Sequence, residues 1–374
     1  MVELVLFFLN GDQYFQLSGW YLPLLGALLF GIPSLVKNKY TFLRMLPIIL
    51  LLVFILGCIV NFLHLDRGYT FSYLMGLAIL VEFAIIRLSE KSVNRILYAY
   101  VISALIISLL ILLVRQRYYD LDSTRLTIQI ASNPRIDPNY LAAFLVAPFI
   151  IALDKLRDKS TKISQKILLG FMTAIVALGI LLTGSRGAYV SVVLGIAVLF
   201  ISKKILKSKK VWKYTAAVLV LLLIVLLLLP QESKDRFFNI GAWFADRSNL
   251  RRFELWGNAL KAVLHYPALG YGSVSTATII GETIGIFEPA HNTLLDLCLQ
   301  QGLLFLLLFT LICVVIVFNK SKLARSICIA TLATGIFIGS EACFYLWFNL
   351  GLALHIVLGE KNEQSKHHRS RIQR

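Results

Sequence analysis

The stretch "HNTLLDLCLQQGLLFLLLFTLICVVIVF", residues 291–318, begins with two polar residues and is almost wholly apolar afterwards. Such a run predicts a helix that crosses a lipid bilayer, because about 20 residues rising 1.5 Å each cover the roughly 30 Å hydrocarbon core. Similar apolar runs recur along the chain, so the structure that this stretch predicts applies to most of the protein and decides the fold class. It also poses a question, since a histidine and an asparagine at the start of a membrane helix need an explanation.

The composition supports an all-α, polytopic integral membrane protein. The 374 residues are 58% hydrophobic and 15% charged, with a mean hydropathy of +0.77. Soluble domains are less apolar and carry more charge. We therefore predict a single transmembrane domain over residues 1–374 with about eleven transmembrane helices. The predicted spans lie near 20–36, 45–63, 69–87, 96–114, 140–153, 167–182, 188–202, 214–230, 291–318, 326–340 and 342–358.

The five cysteines are predicted to pack in the membrane as small side chains. All of them fall inside or at the edge of apolar runs, and no C-x-x-C pair occurs, so neither disulfides nor a metal site is predicted from them. They are Cys58, Cys298, Cys313, Cys328 and Cys343.

Basic residues predict the orientation of the chain in the membrane. Most of the 37 lysines and arginines fall in one alternate set of connections, which includes the basic tail at 359–374. The positive-inside rule makes that set and the C-terminus cytoplasmic. Residues 231–290 then form a long extracytoplasmic loop. The net charge of +17 follows from this topology, so it does not indicate nucleic-acid binding.

Arginine dominates the outer set of connections. Only Lys234 and Lys261 are lysines there, whereas ten positions are arginine. Arginine binds phosphate or carboxylate through a two-pronged fork, which favours an anionic ligand on this side. The alternative is that arginine is used there for packing and snorkelling. The ten are Arg67, Arg115, Arg117, Arg125, Arg135, Arg186, Arg236, Arg247, Arg251 and Arg252.

Four polar motifs fall on the predicted outer side: "NPRIDPNYLAAF" (133–144), "LLTGSRGAYV" (181–190), "RRFELWGNALKAVLHYPALGYGS" (251–273) and the opening stretch around His291. The two spans beside the second motif are short, about 24 Å each at helical rise. Their shared turn is therefore predicted to lie below the outer surface. Arg186 there is costly unless it faces a wet cavity or a counter-ion; the alternative is snorkelling to headgroups. Gly184 and Gly187 allow a tight turn and a close backbone approach.

The third motif predicts an interfacial helix in the long loop. Phe253, Trp256, Leu260 and Val263 recur at spacings of 3, 4 and 3, which is one face of a helix. Trp256 suits the membrane interface. A helix that carries no ligand is the alternative interpretation. The turn-rich segment "HYPALGYGS" is predicted to fold the chain back over the membrane.

His291 is placed at the positive end of a helix and on the same side as the arginines. Both features disfavour a charged imidazole, so a neutral ring that can act as a general base is predicted. Asn292 and Asp296 lie four residues apart on one helix face and could orient the ring or a bound sugar. The alternative is that His291 is only a cap or interface residue.

These motifs, in this order, resemble the O-antigen polymerase and O-antigen ligase superfamily. The matching elements are "DPNYLAAF", "TGSRGA", "RFELW" with "HYPALGYG", and "AHNTLLDLCLQQGLL", within residues 133–304. The resemblance implies a GT-C-like, metal-independent glycosyltransferase that inverts configuration on the outer side of the plasma membrane. Its donor is a glycan on a polyprenyl diphosphate. Carried over, Arg186 and Arg252 hold the diphosphate and His291 acts on the acceptor hydroxyl.

Six further residues of these motifs are predicted to bind substrate: Arg251, Arg135, Asn139, Asn292, Trp256 and Asp296. No cofactor and no metal are predicted, because arginine can neutralise the leaving diphosphate.

The resulting function is a polymerase for O-antigen, capsule or exopolysaccharide in the bacterial inner membrane. Its implied partners are the lipid-linked oligosaccharide or polysaccharide, the acceptor glycan, membrane lipids and a chain-length regulator. The first alternative is a ligase that transfers the glycan to a lipid A core. The second is a transporter of the lipid-linked glycan, which the lack of internal repeats and of mid-span charges other than Glu82 disfavours.

Overall fold

The structure is a computed structural model. It describes residues 42–62, 65–114, 116–120, 123–128, 136–200, 247–340 and 343–372. The predicted spans at 20–36 and 214–230, and the candidate residue Arg135, lie outside these residues. The other nine predicted spans each coincide with a helix.

Eleven helices and one hairpin make up the described part of the chain. The helices are α1 (Phe42–Val60), α2 (Arg67–Ile85), α3 (Glu90–Val114), α4 (Pro138–Arg157), α5 (Ile163–Leu182), α6 (Arg186–Phe200), α7 (Arg247–Val263), α8 (Thr276–Ile284), α9 (Thr293–Val317), α10 (Lys322–Phe337) and α11 (Phe344–Ile372). The strands are β1 (Gln116–Asp120) and β2 (Ser123–Thr127).

The helices confirm the predicted all-α membrane architecture. Six of the described helices, α1 to α5 and α9, are long and apolar enough to cross a membrane. The helix α6 and the first part of α11 are apolar but shorter. The total of eleven spans stays a prediction. The helix α11 continues through most of the basic tail to Ile372.

The hairpin between α3 and α4 was not predicted. Its strands are antiparallel, with Gln116 opposite Thr127 and Asp120 opposite Ser123. The strand β1 contains two tyrosines and β2 contains two threonines, residue types that suit a pleated surface. The segment carries no long apolar run, so hydropathy alone treats it as an ordinary connection.

Hydrogen bonds sort the helix ends into two groups, as the predicted topology requires. At one end, which we call the motif end, Asp66 N donates to Ser273 O of the third motif over 3.0 Å. Arg125 links the first and second motifs there, and residues 338–340 link the first and fourth. At the opposite end, the basic end, Lys155 Nζ donates to Asn94 Oδ1 over 2.5 Å and Arg157 Nη1 to Leu199 O over 2.7 Å. The contacts of Asp66, Lys155 and Arg157 agree with the grouping of connections read from the basic residues, and which end faces the cytoplasm stays a prediction.

Small residues let the central helices approach closely. Trp347 of α11 is fully buried, and a Cβ atom at Gly76 of α2 would lie 2.1 Å from its ring. Gly195 of α6 similarly faces Ile150 of α4 and Ala330 of α10. Close backbone approach is how helices associate where lipid is as apolar as the side chains. The cysteines follow the same rule, because all five are free thiols and four of them are buried, as predicted.

The helix α9 is broken at Gly302, whose backbone is at φ 76° and ψ 178°. The segment 267–274 fills the break. Tyr271 N donates to Leu299 O over 2.9 Å, and Leu303 N donates to Pro267 O over 2.7 Å. These bonds satisfy the backbone groups that the break releases, which a membrane protein must pair internally. The uninterrupted helix predicted over 291–318 is thus wrong, and "HYPALGYGS" packs into a helix instead of only turning the chain.

Candidate active site

The first turns of α4 and α9 are tied to one short segment, residues 338–340, which follows α10. Tyr140 of the "DPNY" motif donates its hydroxyl to Gly339 O over 2.9 Å. Thr293, two residues after His291, donates to Ile338 O over 2.9 Å, and its hydroxyl lies 2.7 Å from that of Ser340. The fourth motif and the first are therefore held side by side at the motif end.

Arg125 of β2 connects the first motif to the second. Its Nε donates to Thr183 O in the "TGSR" turn over 3.0 Å, and its Nη2 donates to Asn139 Oδ1 over 2.5 Å. The side chain is buried, with only 6% of it exposed. Sequence reasoning counted Arg125 among the outer arginines and did not select it, because its partners are distant in sequence. Asn139 was predicted to bind substrate, and its side-chain amide oxygen accepts this hydrogen bond from Arg125.

The "TGSR" turn places Arg186 at the first position of α6. Gly184 adopts a left-handed backbone, φ 64°, and a Cβ atom at Gly187 would lie 2.7 Å from the side chain of Phe337. Both glycines therefore have the roles that the sequence predicted for them. The argument that short spans sink this turn does not hold for α5, whose 20 residues reach about 30 Å at helical rise.

The helix α7 is fastened to the residues that precede His291. Trp256 Nε1 donates to Ala290 O over 2.9 Å. Arg251 directs its fork at Glu288, with bonds of 3.2 Å from Nε and 3.0 Å from Nη2. Its Nη1 bonds Glu254 over 2.6 Å. The Arg251 fork holds the pKa of the Glu288 carboxyl below its usual range. The predicted substrate-binding roles of Arg251 and Trp256 stay predictions beside these structural contacts.

The predicted interfacial face of α7 is divided in the structure. Phe253 and Leu260 are exposed, as a lipid-facing stripe requires. Val263 is buried and Trp256 is half-buried, because they face the cluster around Ala259 and Leu299. The helix α7 thus lies against the first half of α9, and only part of its apolar face is available to a membrane.

His291 has an unusual backbone. Its φ is 52°, and among the residues that the structure describes it is the only one other than glycine with a positive φ. Such a conformation costs on the order of 1–3 kcal/mol and persists where the surroundings enforce it, often at functional sites. Here Trp256 holds the preceding carbonyl and the cap of α9 follows at once. These contacts keep the half-buried imidazole in position in spite of the free-energy cost of the positive φ.

The surroundings of His291 favour the neutral ring. Burial is the main cause that lowers its pKa, and the positive charge of Arg252 adds to it. The carboxylates of Asp137 and Glu288 oppose this shift. The predicted direction is confirmed, but desolvation outweighs the arginine. Asp137 was not predicted to approach His291; the only signal for it was its position before Pro138, where it caps α4.

Asn292 and Asp296 form the cap of α9. Asn292 Oδ1 accepts from Leu294 N over 3.0 Å and from Leu295 N over 3.3 Å. Asp296 Oδ2 accepts from Asn292 N over 3.3 Å. The polar start of this helix is therefore explained in part by capping, although the cap residue is Asn292 and not the histidine. The predicted contribution of both side chains to sugar binding stays a prediction.

The described residues bring Arg252, Asp137 and Glu288 within electrostatic reach of His291. Arg186 and Asn139 join the same end through Arg125 and through the packing of Gly187 on the residue before the 338–340 segment. No group of three or more histidine, cysteine or carboxylate side chains that could hold a metal ion is found in this part of the chain. The charged and titratable groups described at this site are guanidinium, carboxylate and imidazole groups.

Residues 171–310 match the sequence model of a family described as O-antigen ligase. The match includes the "TGSRGA" turn, the loop with α7 and α8, and the "AHNT" start of α9, and it begins after the "DPNY" motif. No curated protein matches the chain significantly. The apolar helices indicate a membrane protein. The match over residues 171–310 supports the resemblance of this chain to the O-antigen polymerase and ligase superfamily.

Proposed function

We propose that this protein is a polysaccharide polymerase. It transfers a glycan from a polyprenyl diphosphate to a sugar hydroxyl of an acceptor glycan, with inversion and without a metal. The observation that carries the proposal is the pairing at the start of α9, where a half-buried imidazole kept neutral by burial lies near the guanidinium of Arg252. A base and a cation at one place are what this transfer requires.

The chemistry proceeds in one displacement. His291 takes the proton of the acceptor hydroxyl as its oxygen forms a bond to the anomeric carbon. The bond from that carbon to the diphosphate oxygen breaks, and the diphosphate leaves with the electron pair. Arg252 and Arg186 neutralise the charge that grows on the diphosphate. The proton on His291 is then released to solvent, which restores the neutral ring.

The proposed setting is the bacterial plasma membrane, with the motif end on the extracytoplasmic side and the C-terminus in the cytoplasm. The distribution of lysine and arginine supports this orientation. A polymerase of this kind would meet its lipid-linked donor at the membrane surface, where the exposed Phe253 and Leu260 of α7 suit an interfacial position. A chain-length regulator is the proposed protein partner.

A ligase that moves the glycan to a lipid A core is the second candidate, and the description of the matching family favours it. The same base and arginines would serve both reactions, since only the acceptor differs. The residues at the motif end therefore support glycan transfer in general, and the nature of the acceptor has to be established by assay.

The deciding experiment is reconstitution of the purified protein with polyprenyl diphosphate-linked repeat units. A polymerase produces a ladder of longer lipid-linked glycans in the absence of any lipid A. Transfer that occurs only after lipid A core is added would show the ligase instead, and no transfer to either acceptor would overturn both.

Two variants complete the assay. His291→Ala should lose about 10²–10⁴-fold of the rate, the usual contribution of a general base, while still inserting in the membrane. His265→Ala is the matched control, because His265 is an exposed histidine in the same loop and should leave the rate unchanged.

A further inference from the structure

We propose that Asp137, which caps the N-terminus of α4, is a positioning residue for His291: its carboxylate orients the imidazole and balances the charge that the ring gains with the acceptor proton. The proposal rests on the proposed function of His291 as a base. It assigns a second motif, "DPNY", to the same reaction step.

Asp137 is held rigidly at the motif end. Its Oδ1 accepts a hydrogen bond from Asn139 N over 2.7 Å, in the geometry of an N-cap. Tyr140 N also donates to Asp137 O over 3.0 Å. Among the described contacts, the side-chain bond uses Oδ1, so the second carboxylate oxygen is available to another donor. A cap of this kind leaves the carboxylate little freedom to turn away.

The start of α9 is held against the start of α4 by contacts that do not involve either ionisable group. Tyr140 bonds Gly339, and Thr293 bonds both Ile338 and Ser340. Asp137 lies three residues before Tyr140, and His291 lies two residues before Thr293. Two helix starts attached to three consecutive residues bring their preceding residues to the same place, and the charge of Asp137 acts on the imidazole of His291 there.

Three charged groups face His291 from the elements around it: Asp137 from α4, Glu288 from its own segment, and Arg252 from α7. Glu288 is a poor partner, because it is exposed and the fork of Arg251 already neutralises it. Asp137 is half-buried and comes from a separate, fixed helix. A carboxylate that orients a catalytic histidine generally has this placement, since it must not move with the ring it positions.

The step that Asp137 serves is proton transfer. When His291 accepts the proton of the acceptor hydroxyl, the ring becomes a cation next to Arg252. That juxtaposition is unfavourable, and an adjacent carboxylate offsets it without taking the proton itself. Asp137 therefore stabilises the state in which His291 carries the proton.

The test measures the titration of the His291 ring by NMR in the detergent-solubilised full chain with labelled histidine, using His291→Gln to assign the signal. Asp137→Asn removes the charge and keeps a good N-cap, so the fold is preserved. Loss of a neighbouring anion should lower the measured pKa of His291. Glu288→Gln is the matched control, and its effect should be smaller because Arg251 already compensates that charge.

An unchanged His291 titration in Asp137→Asn would overturn the proposal, as would a larger shift in Glu288→Gln. In the transfer assay, Asp137→Asn should lower kcat on the order of tenfold at constant KM for the lipid-linked donor. The low-pH limb of the pH–rate profile of Asp137→Asn should also move to lower pH. The titration needs no substrate, so a wild-type protein that fails to transfer glycan would sink the proposed function while the titration still decides the Asp137 pairing.

Discussion

The Nε of Arg125 donates a hydrogen bond to the backbone carbonyl of Thr183 over 3.0 Å, and this bond joins a β-hairpin to the turn that carries Arg186. The same guanidinium bonds Asn139. A buried arginine that serves two motifs at once sets their separation, and with it the position of Arg186 relative to the start of α4.

We expect Arg125→Lys to lose most of the transfer activity. An ammonium is a point charge and cannot bond Thr183 and Asn139 in the geometry of the planar fork, which leaves a buried acceptor unpaired at a cost of about 1–3 kcal/mol. Arg157→Lys is the control, since Arg157 bonds a helix-terminal carbonyl in the same way at the basic end. Equal rates for the two variants in the reconstituted assay would contradict a special role for Arg125.

Arg186→Lys should reduce transfer by roughly tenfold or more, because a lysine retains the charge but not the bidentate grip on the diphosphate. The loss should fall on kcat rather than on insertion, which is checked by the amount of folded protein extracted from the membrane. A rate equal to the wild type would show that Arg186 only approaches lipid headgroups.

Glycan transfer should persist at pH values below the ordinary pKa of histidine. The pKa of His291 is lowered by burial and by Arg252, so the ring stays neutral as pH falls and is protonated only below its usual range. Arg252→Gln removes a positive charge and should raise the pKa of His291, a shift opposite in sign to that from Asp137→Asn. Histidine NMR measures both, and shifts of the same sign would refute this arrangement of charges.

Gly302→Ala should destabilise the protein by more than 1 kcal/mol, because the residue has a positive φ that alanine adopts poorly. A Cβ atom there would also lie 2.3 Å from Ala268 O. Gly257→Ala is the matched control: it lies in α7 with open space around it, and should stabilise the helix by about 0.5–1 kcal/mol. Thermal unfolding in detergent separates the two, and similar melting temperatures would argue against the close packing of the 267–274 segment on α9.

Chelators should leave the rate of glycan transfer unchanged. The proposed reaction uses arginine to neutralise the leaving diphosphate, so EDTA removes nothing that it needs. The measurement compares initial rates before and after dialysis against EDTA, with and without added Mg²⁺ or Mn²⁺. A rate that falls to background and returns with either ion would refute the metal-free mechanism.

Much of the architecture could be predicted because its signals are local. A run of apolar residues specifies a membrane helix by itself, and alternate basic connections specify which helix ends lie together. The position of His291 at the end of such a run similarly predicted a neutral ring, since a helix start and nearby arginines both disfavour a cation. The family resemblance rested on short motifs, and the match over residues 171–310 covers three of the four.

The arginine pair of α7 shows where local signals end. Arg251 and Arg252 are adjacent in sequence and point about 100° apart on a helix. Only the structure shows that Arg251 binds Glu288 while Arg252 acts on His291. Choosing between them from the sequence depended on alignment to a motif and not on a physical difference.

The amino-acid sequence alone determined that this is a helical membrane protein with its polar motifs gathered at one end. The tertiary structure decided the break of α9 at Gly302, the insertion of residues 267–274 into it, and the approach of Asp137 and Arg125 to the other motifs. The reason is that hydropathy and helical period report each residue's own segment. Backbone hydrogen bonds across a helix break and charges between helix ends depend on partners far away in the chain, which become neighbours only when the helices pack.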